Sequence, residues 1–277
     1  MAEWNRDTPW RQGHLLGKDA IDALGLHHAV APDQTLVIVA SHDCDLAQTS
    51  AVEPVVEVVV GRLMTDKGGN YTHAKNARKL HVEFAGADDF WAEFEATAKL
   101  SIEKHALNDF VPRPEVHLSP GNHAIFQMWL ASRYRRSAFP NEFESRLKDF
   151  NLHEKVAKAV KPHGDLIVGV FFEVDGGNEV TRNGPDDTYT LDITILHTAD
   201  HDFAKAEKAA ETAAKAIEKA FKDKLFDPTK TWQHIELRFC DAVAESVLTY
   251  QQFKQMKRWW LEHISFAAVP QQPVLAE

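Results

Sequence analysis

The sequence predicts an α+β protein: a small curved β-sheet or barrel, then helices, then a C-terminal α+β unit. Residues 1–115 hold several short strand-like runs separated by polar turns, the pattern of a small, strongly curved sheet. Apolar residues then recur at helical spacing over 121–160. Beyond residue 163, strand-like runs flank one long amphipathic stretch. The expected division is a β-rich, barrel-like domain over 1–115, a helical connector over 116–162 and an α+β domain over 163–277.

Each element has its own local reason. A short helix is expected near Asp19–Leu24. Leu36 to Ala40 is a continuous apolar run after Pro32-Asp33, as in a strand buried on both faces. Val55 to Val60 is rich in β-branched side chains that suit a pleated surface. Leu80 to Phe84 alternates with period two, and Phe94 to Ile102 alternates loosely as a fourth strand. Ile125, Trp129 and Leu130 fall at helical spacing. Pro140 opens a further helix, since its missing N–H costs nothing in a first turn, and Phe143, Leu147 and Phe150 supply the apolar stripe.

Leu166 to Val174, Tyr189 to Leu196 and Ile235 to Phe239 read as strands. Asp202 to Leu225 is the clearest helix, with a stripe running from Phe203 through Ala206, Ala210 and Ala213 to Ile217 and Phe221. Glu211–Lys215 and Glu218–Lys222 add ion pairs in the favourable order, and Asp200 or Asp202 is its expected N-cap. Thr249-x-x-Gln252 resembles a capping box opening a final helix that bears Phe253, Met256, Trp260 and Ile264.

Composition bounds the function. With 31 basic and 41 acidic residues the formal charge is −10, which excludes coating nucleic acid through bulk charge but leaves room for a local basic patch. A hydrophobic content of 44% excludes disordered and fibrous classes. No apolar run approaches the ~20 residues that span a bilayer, and Trp4 to Asp7 hold no signal-peptide core. Cys44 and Cys240 are too few for a disulfide framework and read as reduced thiols. These features predict a cytoplasmic, bacterial-style protein with no membrane partner.

The most informative stretch is Ser41-His42-Asp43-Cys44-Asp45, which sets a nucleophile, an imidazole and two carboxylates at the end of a buried strand. Cys44 can act as a nucleophile if a histidine lowers its thiol pKa. The same side chains can ligate a metal, or His42 and the carboxylates can handle protons or bind a substrate's polar edge. The bland alternative makes Cys44 a small buried filler and Asp43 and Asp45 caps of turn amides. Continued strand alternation would put His42 and Cys44 on one face. No CxxC or HExxH accompanies the segment, so the metal signal is weak, no residue is assigned to a metal, and the sequence leaves any cofactor unknown.

Other polar groups could complete a site if the sheet curls. Lys99, Lys104 and His105 follow the fourth strand, and Gln12-Gly13-His14 could line the same mouth. Arg133, Arg135 and Arg136 form the main basic cluster, suited to phosphate by their bidentate geometry or, more blandly, to a helix C-terminus and to Glu142 or Glu144. His197-x-x-x-His201 straddles a strand–helix junction, where the rings need not converge. No Walker A loop, GxGxxG, GxSxG or kinase signature is present, so nucleotide hydrolysis and dinucleotide chemistry lack support.

The order Gln12 to Leu16, Thr35 to Asp45, Val55 to Leu63, Lys79 to Phe84 and Phe94 to Leu107 resembles the strand order of the small MazF/PemK-type toxin barrels. The likeness covers about the first 110 residues and lies in pattern more than motif. It implies an SH3-like barrel; that family's arginine-based RNA-cleaving set is not recognisable here. The chain also resembles uncharacterised bacterial proteins with a Ser-x-x-Cys-Asp turn and an Arg-Tyr-x-Arg-x-Ala-Phe-Pro segment, here Arg133 to Pro140.

Two functions follow as expectations. In the first, a toxin-like or defence-associated nuclease acts on RNA or single-stranded DNA, with His42, Asp43, Cys44, Asp45 and His105 as its centre. Gln12, His14, Lys99, Lys104, Arg133, Arg135 and Arg136 then hold the substrate. In the second, a non-catalytic binding or regulatory module recognises a protein or small ligand, with a Trp259-Trp260 helix as an interaction or homodimer surface.

Overall fold

The computed structural model describes residues 4–132, 134, 139–178, 180, 182, 184, 186–200, 202–249, 251 and 256–259. These residues have an α+β fold organised in two compact units. Residues 4–67 and 76–134 belong to the first unit, and residues 68–75 with those from 139 onward to the second. The helical stretch read as a connector is thus divided between them.

The first unit runs α1 (Lys18–Leu24), β1 (Thr35–Val39), α2 (Asp43–Leu46), β2 (Val55–Met64), β3 (Lys79–Phe84), β4 (Phe90–Glu103) and α3 (Pro120–Ser132). Its four strands form an antiparallel sheet in the order β1-β2-β4-β3. Among the described residues the four strands form an open sheet and not a closed barrel, which is the small-sheet alternative of the sequence expectation. The reason lies at its edges. The Gly13 and Leu16 N–H groups donate to Val39 and Val37 carbonyls at 2.9 Å, so residues 13–16 occupy the outer edge of β1. Ala85, just beyond β3, pairs with His117. Pro112 also bridges Leu16, so the segment 112–117 runs between the two edges in place of direct pairing of β1 with β3.

Val37, Val39, Val56 and Val58 bury their side chains with Trp10, Leu16 and Ile21. A chain of rings, Phe84–Phe94–Phe126–Trp129, links β3 and β4 to α3 at centroid spacings of 6.4, 6.4 and 6.1 Å. Phe126, rather than the expected Ile125, is the fully buried residue beside Trp129. Ser119 starts α3, its hydroxyl accepting from the Asn122 N–H at 3.2 Å ahead of Pro120 in the first turn.

Strand β4 carries a break the sequence did not announce. Between the pairs Val59↔Lys99 and Gly61↔Phe94, Val60 alone on β2 faces Glu95 to Ala98 on β4. Bulges of this kind bend a strand and re-aim its side chains. Gly61 permits the close approach, since a Cβ there would lie 2.4 Å from the Glu93 carbonyl and from the Phe94 ring.

The second unit runs α4 (Asn141–Asp149), α5 (Leu152–Val160), β5 (Ile167–Val174), β6 (Tyr189–His197), α6 (Phe203–Leu225), β7 (Ile235–Ala244) and β8 (Lys257–Arg258). Its sheet has the order β7-β6-β5-β8. The β6–β7 pair is parallel because α6 returns the chain, and the small residues Ala206, Ala210 and Ala213 are among those α6 buries. Asp202 caps α6 by accepting from the Lys205 N–H at 3.2 Å. The helix expected after Pro140 is α4, whose stripe ends at its C-cap Phe150; Asn151, at φ 55°, then turns the chain into α5.

The expected final helix is corrected at Lys257–Arg258, which pair with Phe172 and Phe171 as a strand. Trp259 follows that strand and stacks on Phe172 at 5.0 Å, while Phe253, Trp260 and Ile264 lie outside the described residues. Segment 68–75 is fixed in this unit by the buried Lys75, whose ammonium donates to the Gly164 and Ile167 carbonyls at 2.5 and 2.8 Å. Beside it the Gly69 and Gly164 backbones touch: a Cβ on Gly164 would lie 2.2 Å from Gly69 Cα.

Candidate functional site

The polar segment after β1 leaves the strand at once. The Ala40 and Ser41 N–H groups both reach the Glu57 carbonyl, at 2.8 and 3.2 Å, and Asp43–Leu46 then close a single helical turn, α2. His42 is its N-cap: the Cys44 N–H donates to His42 Nδ1 at 3.2 Å. Strand alternation therefore does not set these side chains, and Cys44 is exposed rather than a buried filler. Asp43 does cap an amide, accepting from the Gln12 N–H at 2.8 Å.

Beside α2 lies a cavity of about 530 Å³. Its wall is apolar, made by Val59, Ala96, Trp129 and Leu130. Gln12, His42, Asp45, Glu57 and Lys99 converge on it as polar groups, joined by Gln127 and Tyr134. Gln12 holds the rim together. Its side-chain amide donates to the Ala40 carbonyl at 2.7 Å and accepts from Gln127 Nε2 at 2.8 Å, and its backbone carbonyl meets His123 Nε2 at 3.2 Å. Three elements of the first unit are thereby tied at one residue.

Lys99 is committed to Glu57 at 2.8 Å, with its ammonium 5.9 Å from the centre of the Tyr134 ring. Burial pulls the Lys99 pKa down, but the hydrogen bond and charge of Glu57 outweigh it and leave the pKa above the ordinary lysine value. The group stays an ammonium and is not an amine nucleophile.

The remaining sequence candidates lie elsewhere. Lys104 is fully buried, and its ammonium donates to the Asp45 and Gln48 carbonyls at 2.7 and 2.8 Å while lying 5.1 Å from the Trp4 ring centre. It satisfies backbone around α2, and desolvation lowers its pKa. His105 is exposed on the next turn and neither it nor Cys44 lines the cavity. His14 accepts from the Arg11 N–H at 3.1 Å, and burial, with the Arg11 charge, lowers its pKa. Arg133, Arg135, Arg136 and His201 lie outside the described residues. The structure therefore brings Gln12, His42, Asp45 and Lys99 to one cavity; it does not bring Cys44, Lys104 or His105 there.

Sequence reading missed Glu57, Gln127, Trp129 and Tyr134 as cavity residues. Glu57 sat inside a Val-rich strand and Trp129 inside a helical stripe, so each had an ordinary structural explanation. It also missed a buried charge cluster on β2, β3 and β4. Arg62, Lys79 and His81 all bind the carboxylate of Glu93, at 2.8, 3.0 and 2.9 Å. Burial alone would raise the Glu93 pKa; the His81 and Lys79 hydrogen bonds and the nearby cations hold it at about 2. Among the described residues no three His, Cys, Asp or Glu side chains gather as a metal site requires. No described helix is long and apolar enough to cross a membrane. Comparison with protein-family models, curated proteins and solved structures finds no match to this chain.

Proposed function

We propose that the first unit is a binding module for a small organic ligand, with the cavity beside α2 as its site. The observation that carries this reading is the cavity's make-up: about 530 Å³, an apolar wall and a few convergent polar groups, as in small-molecule sites generally. Local chemistry favours binding over phosphodiester cleavage. Lys99 spends its charge on Glu57, and Asp45 adds a second carboxylate, so the rim is unfavourable to phosphate. His42 accepts the Cys44 N–H at Nδ1, so that lone pair is already used and Nε2–H is the ring group left to offer as a donor. The test is a fragment screen by NMR on the full chain, repeated with Ala96→Trp to fill the cavity. Binding lost in a folded Ala96→Trp variant supports the reading; undiminished binding places the site elsewhere.

Nucleic-acid processing is the second reading, favoured by His42, Asp45 and Lys99 sharing one cavity. Labelled RNA and single-stranded DNA, incubated with and without EDTA beside His42→Ala, decide it. Cleavage lost in the variant supports a nuclease, and intact nucleic acid throughout removes this reading.

A further inference from the structure

A groove of about 1110 Å³, about twice the volume of the cavity beside α2, opens on the first unit. It is bounded by α1, the turn before β1, the end of β2, the turn between β3 and β4, and residues 113–115. Buried Leu16, Ile21 and Leu36 line it, and Leu63, 41% exposed, carries the apolar surface outward with Phe90. The charge beside that surface is one-sided. Four carboxylates, Asp22, Asp33, Asp88 and Glu115, line the groove against two cations, Lys18 and Arg113, a formal balance of −2 with histidine neutral. Arg113 is spent on Glu115 at 2.9 Å. Asp22 has His27 at 3.7 Å, whereas the exposed Asp33 and Asp88 carboxylates have no hydrogen bond or ion pair among the described residues. Low-dielectric walls focus such a field and draw in the opposite charge.

We propose that this groove docks a segment of a partner protein bearing two or more lysines or arginines beside one or two large apolar side chains. Size argues for a segment rather than a small molecule, since the groove exceeds the roughly 300–1,000 Å³ of small-molecule sites. Charge complementarity sets the chemistry. Two cations neutralise the lining, while an acidic segment or a phosphate backbone is repelled by it. The chain's own C-terminal residues do not supply that charge, because no lysine or arginine follows Arg258. Asp33 and Asp88 then recognise the cations, and Leu63 with Phe90 receives an apolar side chain, as contiguous exposed apolar surface does at contact sites. The groove shares no lining residue with the cavity beside α2, so the proposal stands apart from the ligand reading.

The experiment selects random heptapeptides displayed on phage against the immobilised full chain and measures the enriched peptides by fluorescence anisotropy. The expected result is enrichment of peptides with two or more Lys or Arg beside Leu, Phe or Trp. Their affinity falls about tenfold in the double variant Asp33→Lys, Asp88→Lys and by a similar factor in Leu63→Ser. It falls further as NaCl rises from about 50 to about 500 mM, and Ala96→Trp leaves it unchanged. Asp33, Asp88 and Leu63 are exposed, and should the double variant fail to fold, Leu63→Ser and the salt series carry the test. No enrichment over a blank surface, enrichment of acidic or uncharged peptides, or affinity retained in the folded variants overturns the proposal. So does binding lost in a folded Ala96→Trp chain, which puts the peptide in the cavity beside α2. A dimer in sedimentation velocity that the double variant abolishes gives the groove to a second copy of the chain and also overturns the partner segment.

Discussion

At the scale of single residues, the molecule places cations where a reader of sequence expects solvent. Lys104 stands in Glu-Lys-His, a stretch that reads as a charged strand end, yet its ammonium is buried against the Asp45 and Gln48 carbonyls. Nothing local distinguishes such a lysine from an exposed one; only the return of the chain past α2 supplies its acceptors. Lys104→Met keeps the hydrocarbon stem and removes the donors. It is expected to lower unfolding free energy by about 2 kcal/mol in urea titration, whereas the exposed neighbour change His105→Ala stays within ~0.5 kcal/mol. The candidate site shows the same limit. His42, Asp45, Gln12 and Lys99 were visible because polar side chains at a strand end attract attention. Trp129 and Glu57 were not, since a stripe aromatic and a strand glutamate are what ordinary packing and pairing produce.

At the scale of elements, periodicity was a good guide wherever one face is buried. β1, β2, β3, β5, β6 and α6 all appear close to the residues whose apolar spacing predicted them. It failed where backbone hydrogen bonding, not burial, decides. His42 ends one element and caps the next, so strand alternation could not be extended through Ser41 to Asp45. The four-against-one offset of β4 opposite Val60 is a pairing event between strands far apart in sequence, and no local pattern encodes it. Glycines register such events more faithfully than hydropathy does. At Gly164 a Cβ would enter the Gly69 backbone, which has no flexible end to move aside. Gly164→Ala is therefore expected to cost about 2–3 kcal/mol, read as a lower urea midpoint at unchanged slope, while Gly121→Ala, with open space around its Cβ position, keeps the wild-type midpoint.

At the scale of the whole molecule, the two units carry their acid sensitivity in different groups. In the second unit, burial, with the Lys75 charge, lowers the His73 pKa to about 4 from its ordinary 6.5. The unfolded chain takes that proton first, so the stability it represents is complete above pH 6.5 and drains away as pH falls toward 4. In the first unit, Glu93 is held at about 2 against an ordinary 4.5, so its contribution is present above pH 4.5 and lost on the way down to 2. Amide hydrogen exchange on a descending pH series is expected to show protection around His73 falling once the pH passes below 6.5, ahead of the loss around Glu93 below 4.5; His14 and His28, whose pKa values burial also lowers, give the first unit an early phase of its own. His73→Asn, whose side chain tolerates the positive φ of 52° at that position, is expected to remove the earlier phase. An early loss in the second unit that His73→Asn leaves unchanged would refute this assignment.

The anchoring of Lys75 also sets a timetable for synthesis. Its acceptor on Ile167 is made 92 residues later, and at roughly 5–20 residues per second a ribosome takes on the order of 5–20 s to deliver it. During that interval β3 and β4 are themselves made, while the loop between β2 and β3 waits with a lysine that has nowhere dry to go. The stretch between β2 and β3 is thus made early and tied down late, only when the start of β5 arrives.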